Sequence, residues 1–183
     1  MIKQNNININ MSWDKEVIAA EQKCERSLLI ELTGEGDLKT KHKERPPVNL
    51  AIVIDCSGSM EGAPIEAAKS AAKLITEKLT QKDRLSIVTF GSEVETHFSN
   101  VRMDESGTSY VQGVISEIYI RGMTNLSGGW FEGARCATQA IDEGVFNDGF
   151  VVILSDGMAN QGITHPKELL MHASELSSRG VQT

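Results

Sequence analysis

Two short runs in this chain are apolar almost from end to end: residues 48–54, VNLAIVI, and residues 150–154, FVVIL. Such a run reads as a strand buried on both faces, as in a parallel sheet covered by helices on each side; a strand with one wet face alternates instead. The segments between and after them carry the matching helices. Beyond the loop DCSGSMEGA, Pro64 suits a first helical turn, and Ile65, Ala68, Ala72, Ile75 and Leu79 recur at three- and four-residue spacing. Residues 84–90, RLSIVTF, repeat the strand pattern, and residues 93–98 alternate as a short antiparallel edge strand does. Val111, Val114, Ile115 and Ile118 form a weaker helical stripe. Trp130, Ala134, Ala137 and Ile141 form another, in a helix expected to open after the glycine-rich GMTNLSGG, and a last helix is expected over 166–178. The order β-α-β-β-α-α-β-α predicts an α/β fold with a doubly wound sheet and helices on both faces.

The flanks read differently. Residues 1–10 are polar and Asn-rich, the composition of a fraying tail. Residues 24–33, CERSLLIELT, carry enough Leu and Ile for a short N-terminal β segment, and the basic run over 39–45 reads as a solvated turn closed by Pro46 and Pro47. The expected division is an N-terminal extension over 1–47, with a strand at 24–33, and a domain over 48–183. At the other end Gly180 suits a helix C-terminus, and Val181, Gln182 and Thr183 read as the opening of a further strand.

The chain has 183 residues, enough for one ordinary α/β domain with a short appendage. Asp+Glu 25 against Lys+Arg 18 gives a net charge of -7, which repels phosphate backbones and leaves no nucleic-acid partner expected. No stretch reaches the ~20 apolar residues of a membrane span, and the start lacks an apolar signal region, so no membrane segment and a cytoplasmic location are expected. Cys24, Cys56 and Cys136 are odd in number and include no CxxC pair, so they read as small buried apolar residues and not as a disulfide framework or a structural zinc site.

Ligands of an open α/β sheet bind beyond the carboxyl ends of its strands. Three loops fall there: Asp55-Cys56-Ser57-Gly58-Ser59, Ser155-Asp156-Gly157, and Gly122-Met123-Thr124-Asn125 at a helix entrance. Their carboxylates and hydroxyls are hard oxygen ligands, which suit Mg²⁺ or Mn²⁺ better than the metals selected by thiolates. In the DxSxS segment the three oxygen-bearing side chains occupy every second position and can face one point, while Gly58 suits a tight turn. Two carboxylates balance a divalent charge and neutral hydroxyls leave it electrophilic. An Asp or Glu carboxylate of a partner protein is then the natural further ligand.

DCSGSM at 55–60, Thr124 and LSDG at 154–157 resemble the von Willebrand factor type A domain with its metal-ion-dependent adhesion site. PIEAAKSAAKLI, DRLSIVTF and LSDGMANQG are similar to bacterial members, and the resemblance spans residues 48–183. It implies a Rossmann-like, mostly parallel sheet and a Mg²⁺, with Mn²⁺ or Ca²⁺ as alternatives, that binds an acidic side chain of a protein ligand. It also implies Asp55, Ser57 and Ser59 as first-loop ligands, Thr124 as the second-loop ligand and Asp156 as the third-loop ligand, some acting through water. GMTN matches the family's Gly-x-Thr-Asn pattern, with Ser127 three residues on as a rival to Thr124. The family's C-terminal strand and helix are expected to be missing after Thr183.

Enzyme readings find little support in the residues. Ser57 and Ser59 lack a G-x-S-x-G elbow and a motif-linked histidine; His97 and His165 stand alone. An aspartyl-phosphate mechanism on Asp55 needs an acid two residues on, where Ser57 stands. There is no G-x-x-x-x-G-K-[ST] phosphate loop. The leading expectation is a metal-dependent protein-binding module and not an enzyme. The alternatives are a metal-assisted hydrolase or phosphatase, and a structural domain whose metal stabilises its loops.

Overall fold

A computed structural model of the chain describes residues 6–13, 27–35, 45–157 and 160–183. The chain divides into two compact units, Met1–Arg45 and Pro46–Thr183. In the first, β1 (Asn6–Trp13) pairs antiparallel with β2 (Leu28–Glu35), from Asn6 opposite Glu35 to Trp13 opposite Leu28. β1 corrects the reading of residues 6–10 as part of a fraying tail; residues 1–5 of that reading lie outside the described residues. NININMSW alternates Asn with Ile, a period-two pattern that its polar composition hides. Of the strand expected at 24–33, the part over 24–26 lies outside the described residues, as does the basic run over 39–44.

The second unit contains β3 (Asn49–Asp55), α1 (Ala63–Lys78), β4 (Arg84–Phe90), β5 (Val94–Arg102), α2 (Glu105–Glu117), α3 (Leu126–Asp142), β6 (Gly149–Leu154), α4 (Pro166–Ser178) and β7 (Val181–Gln182). The strands lie in the order β5-β4-β3-β6-β7. All neighbours are parallel except β5, which runs antiparallel to β4 along the edge. The doubly wound, mostly parallel sheet is therefore present as the periodicities predicted. β5 extends to Arg102, beyond the expected 98, because register shifts opposite Leu85, Ile87 and Val88 break the alternation that marks its first half. Val181 and Gln182 do open a strand, pairing parallel with Gly149 and Phe150.

All seven residues of β3 are buried, and their alternation feeds two cores. Leu50, Ile52 and Ile54 join Ile65, Ala68 and Ala72 of α1 and Val111 and Ile115 of α2; Ala51 and Val53 join Trp130, Ala134 and Ala137 of α3 on the other face. Full burial of each large aliphatic side chain contributes about 1.5–3 kcal/mol, so this central strand and its two flanking layers carry much of the fold's stability. α3 begins at Leu126, inside the glycine-rich segment expected to precede it, with Asn125 accepting from Gly128 N–H as its cap. Gly129 and Gly133 let this helix lie close to the sheet: an added Cβ would stand 2.5 Å from Phe90 and 2.4 Å from Val53, respectively. Among the described residues, no helix is long and apolar enough to cross a membrane.

Candidate metal centre

β4 lies on one side of β3 and β6 on the other, so strand order reverses beside β3 and a crevice opens at the carboxyl ends. Asp55 is the last residue of β3, and Ser155 and Asp156 directly follow β6. The Asp55 carboxylate is fully buried. Its Oδ1 accepts the Ser57 N–H at 2.8 Å, and its Oδ2 accepts the Ser155 hydroxyl at 2.7 Å. The first bond folds the chain back at the strand end, turning Ser57 and Ser59 to one side with their Oγ atoms 3.1 Å apart. The Ser155 hydroxyl also accepts Gly157 N–H at 3.0 Å, which shapes the turn carrying the exposed Asp156.

The second loop, between α2 and α3, is joined to both others. Gly58 N–H donates to Gly122 O at 2.9 Å, tying it to the first loop. Thr124 is buried; its N–H donates to Asn160 Oδ1 at 2.9 Å, and its carbonyl accepts Asn160 N–H at 3.3 Å and Gln161 N–H at 3.1 Å. Its hydroxyl has no hydrogen-bond partner among the described residues. Ser127, the rival to Thr124 in sequence, lies in the first turn of α3 and accepts Ile163 N–H at 2.8 Å, so it tethers the loop after β6. Each pair of loops thus shares a direct bond: first with third through Asp55 and Ser155, first with second through Gly58 and Gly122, second with third through Thr124 and Asn160. Asp55, Ser57 and Ser59 are linked to one another, whereas Thr124 and Asp156 reach the same rim through their loops.

Residues 50–158 match the family model of the von Willebrand factor type A domain. The chain belongs to this family. Human inter-alpha-trypsin inhibitor heavy chain H3 is 30% identical over 127 residues, 67% of this chain and 14% of the heavy chain. The chain spans 14% to 34% of the length of the first curated relatives it matches. A von Willebrand factor type A protein from Catenulispora acidiphila superposes with a TM-score of 0.61 at 17% identity, over 97% of this chain and 39% of that one. Proximal thread matrix protein 1 of the mussel byssus, solved with a zinc-occupied metal-ion-dependent adhesion site, superposes with a TM-score of 0.52 at 18% identity, over 74% of this chain and 36% of that one. These two structures share the fold with the chain.

The five residues expected as ligands in this von Willebrand factor type A domain are chemically uniform: two carboxylates and three hydroxyls. Neighbouring oxygens around an octahedral cation with metal–oxygen distances of about 2.0–2.1 Å stand about 2.9 Å apart. The Ser57–Ser59 separation of 3.1 Å is close to that edge. Asp55 accepts two hydrogen bonds from described residues, while an ionised carboxylate offers about four lone-pair sites. The residues therefore fit a hard divalent cation.

Cys56, between Asp55 and Ser57, is buried and faces away from that chemistry. Burial pushes its thiol up to about 11; Arg121 opposes the shift and Asp55 adds to it. It stays a protonated thiol at neutral pH. Arg121 donates from Nη2 to Thr89 Oγ1 at 2.7 Å and from Nη1 to Glu95, and its guanidinium lies 5.0 Å from the centre of the Tyr119 ring. The Arg121 hydrogen bond holds the Glu95 carboxyl below its ordinary value. His97 Nε2 is 2.9 Å from Thr89 Oγ1, and burial lowers its pKa. Sequence reasoning named Ser155 only as a loop member and missed its bond to Asp55, along with Asn160, Gln161 and Arg121. The signal for Ser155 and Asn160 is their place in the loop LSDGMANQG; Arg121 carries no local signal, since its partners lie 26 and 32 residues away.

Proposed function

We propose that this domain is a metal-dependent protein-binding module. Asp55, Ser57, Ser59, Thr124 and Asp156 would hold a divalent cation, Mg²⁺ in the first instance, at the carboxyl edge of the sheet. When bound, the cation supplies an electrophilic position that takes a carboxylate oxygen of an Asp or Glu from a partner protein. Asp55 and Asp156 balance the charge, the three hydroxyls add donors without neutralising it further, and the Ser155 hydroxyl and Ser57 N–H orient the Asp55 carboxylate. The observation that carries this reading is the juxtaposition of a fully buried carboxylate with two facing hydroxyls, at a rim where all three loops are bonded to one another. The zinc reported at the corresponding type of site in the mussel byssus protein supports a metal in this class of loop. The hydrolase alternative gains no base: neither His97 nor His165 takes part in the bonds that join the three loops.

Mn²⁺ provides the test, because water on bound Mn²⁺ relaxes bulk protons. Protein loaded with Mn²⁺ should lose relaxation enhancement as a peptide containing a single Asp displaces that water, and the same peptide with Asn should leave it unchanged. Equal effects of both peptides, or of neither at saturating concentration, would count against carboxylate capture.

A further inference from the structure

The geometry points to Arg121 as the positioning residue that holds the second loop, and with it Thr124, against the rest of the site. The inference rests on the proposed metal site. It concerns a side chain that donates nothing to the metal and lies three residues from the nearest presumed ligand.

The loop is fastened through its backbone at several points: Arg121 N–H to Cys56 O, Ser92 N–H to Arg121 O at 3.3 Å, Met123 N–H to Ser92 Oγ at 2.9 Å, and Asn125 N–H to Gly91 O at 3.0 Å. The approach is tight. A Cβ on Gly91 would stand 1.8 Å from Arg121 O, and one on Gly122, whose φ is +67°, 2.2 Å from Ser92 Oγ. The Arg121 side chain spans from this loop to two strands, β4 through the buried Thr89 and β5 through Glu95, with the guanidinium packed beside Tyr119. Its side chain is 28% exposed and Thr89 is buried, so the charge-assisted bond to Thr89 is partly shielded from water, whereas Glu95, 48% exposed, adds the more solvent-screened contact. The planar fork serves two acceptors at once; a lysine ammonium offers one point charge on a flexible stem. Releasing the fork frees the Arg121–Thr124 segment to shift away from the Cys56–Gly58 backbone and carries the second-loop oxygen with it.

Residues that orient metal ligands typically alter metal affinity by about 10–100-fold when removed. The experiment is a Mn²⁺ titration followed by electron paramagnetic resonance, with thermal melting in EDTA, on wild type, Arg121→Gln, Arg121→Lys, Glu95→Gln and Asp156→Ala. The expected result is a dissociation constant raised about 10-fold or more in Arg121→Gln, incompletely restored in Arg121→Lys, and raised less in Glu95→Gln, which keeps an acceptor oxygen. The EDTA melting points of Arg121→Lys and Glu95→Gln should stay near wild type, separating loop position from global folding. Should Arg121→Gln fail to fold, Thr89→Val combined with Glu95→Ala removes both acceptors of its side chain, and a raised dissociation constant there supports the inference. Wild-type Mn²⁺ affinity in the Arg121 variants, or in that pair, overturns it while the metal reading stands. Wild type and Asp156→Ala binding Mn²⁺ equally, or neither binding it, overturns both.

Discussion

Two aspartates are fully buried in this domain, and they are held in opposite ways. Asp83, at the amino ends of the strands, accepts Val48 N–H at 2.7 Å on one oxygen, and Thr80 N–H at 2.5 Å and the Thr80 hydroxyl at 2.9 Å on the other. Its carboxylate closes the turn before β4 and pins the start of β3. Asp55, at the carboxyl ends, accepts one N–H and one hydroxyl, and the loop that follows it carries two more hydroxyls, Ser57 Oγ and Ser59 Oγ, 3.1 Å apart. A buried charge surrounded by N–H donors is compensated by the fold itself. One held by fewer donors, beside further oxygens, keeps lone pairs that a cation could take, as the proposed site requires.

The contrast breaks most visibly under the nearly isosteric change of Asp to Asn. Asp55→Asn should abolish Mn²⁺ binding while costing only about 1 kcal/mol, since its carbonyl oxygen still accepts Ser57 N–H and its amide can donate to the Ser155 hydroxyl. Asp83→Asn should do the reverse. Its amide would face Thr80 N–H donor to donor, at a cost of about 2–3 kcal/mol, with the melting temperature falling by roughly 5–10 °C and Mn²⁺ affinity unchanged. Chemical denaturation and a Mn²⁺ titration on the same two proteins check both halves. Equal stability losses with equal metal affinities would erase the distinction.

A smaller effect sharpens it. Ser155→Ala removes the hydroxyl that orients Asp55, and Mn²⁺ affinity should fall about 10-fold with stability changed by about 1 kcal/mol or less. The smallest effect concerns the floor of the site. Cys56 and Cys136 are buried and both thiols are raised by that burial, so neither should react with iodoacetamide at pH 8 until urea is added, as peptide mass spectrometry would show. The sign for stability follows: an unfolded Cys56 ionises near its ordinary value of 9.0 and the folded one only near 11, so its contribution is present below pH 9 and is lost as pH rises between the two. Rapid labelling of native Cys56 would contradict the dry setting beside Asp55.

How much of this was legible in the sequence depended on whether the cause of each element was local. The runs at 48–54 and 150–154 revealed a parallel core because burial on both faces excludes polar side chains from such strands. β1 was hidden because its alternating partner to Ile is Asn, and the far half of β5 because its bulges interrupt the period. The first turn of α3 looks like loop in the sequence because it holds Gly128 and Gly129, and Gly129 answers to Phe90, which lies elsewhere in the chain. In the site, the two-residue spacing of Asp55, Ser57 and Ser59 is a local fact, and the structure finds them linked. The bonds of Ser155 to Asp55, of Asn160 to Thr124 and of Arg121 to Glu95 and Thr89 join residues 26 to 100 positions apart, and pattern reading along the chain does not reach them.

The central claim is that the rim at the carboxyl end of β3 and β6 holds a divalent cation through oxygens of all three loops. Mn²⁺ binding measured by electron paramagnetic resonance on wild type and Asp156→Ala tests it most directly, because Asp156 is exposed and its replacement leaves the core intact. The account predicts one Mn²⁺ per chain in the wild type and none in the variant, at matching EDTA melting temperatures. Binding that survives in Asp156→Ala, or that is missing from the folded wild type, would contradict it.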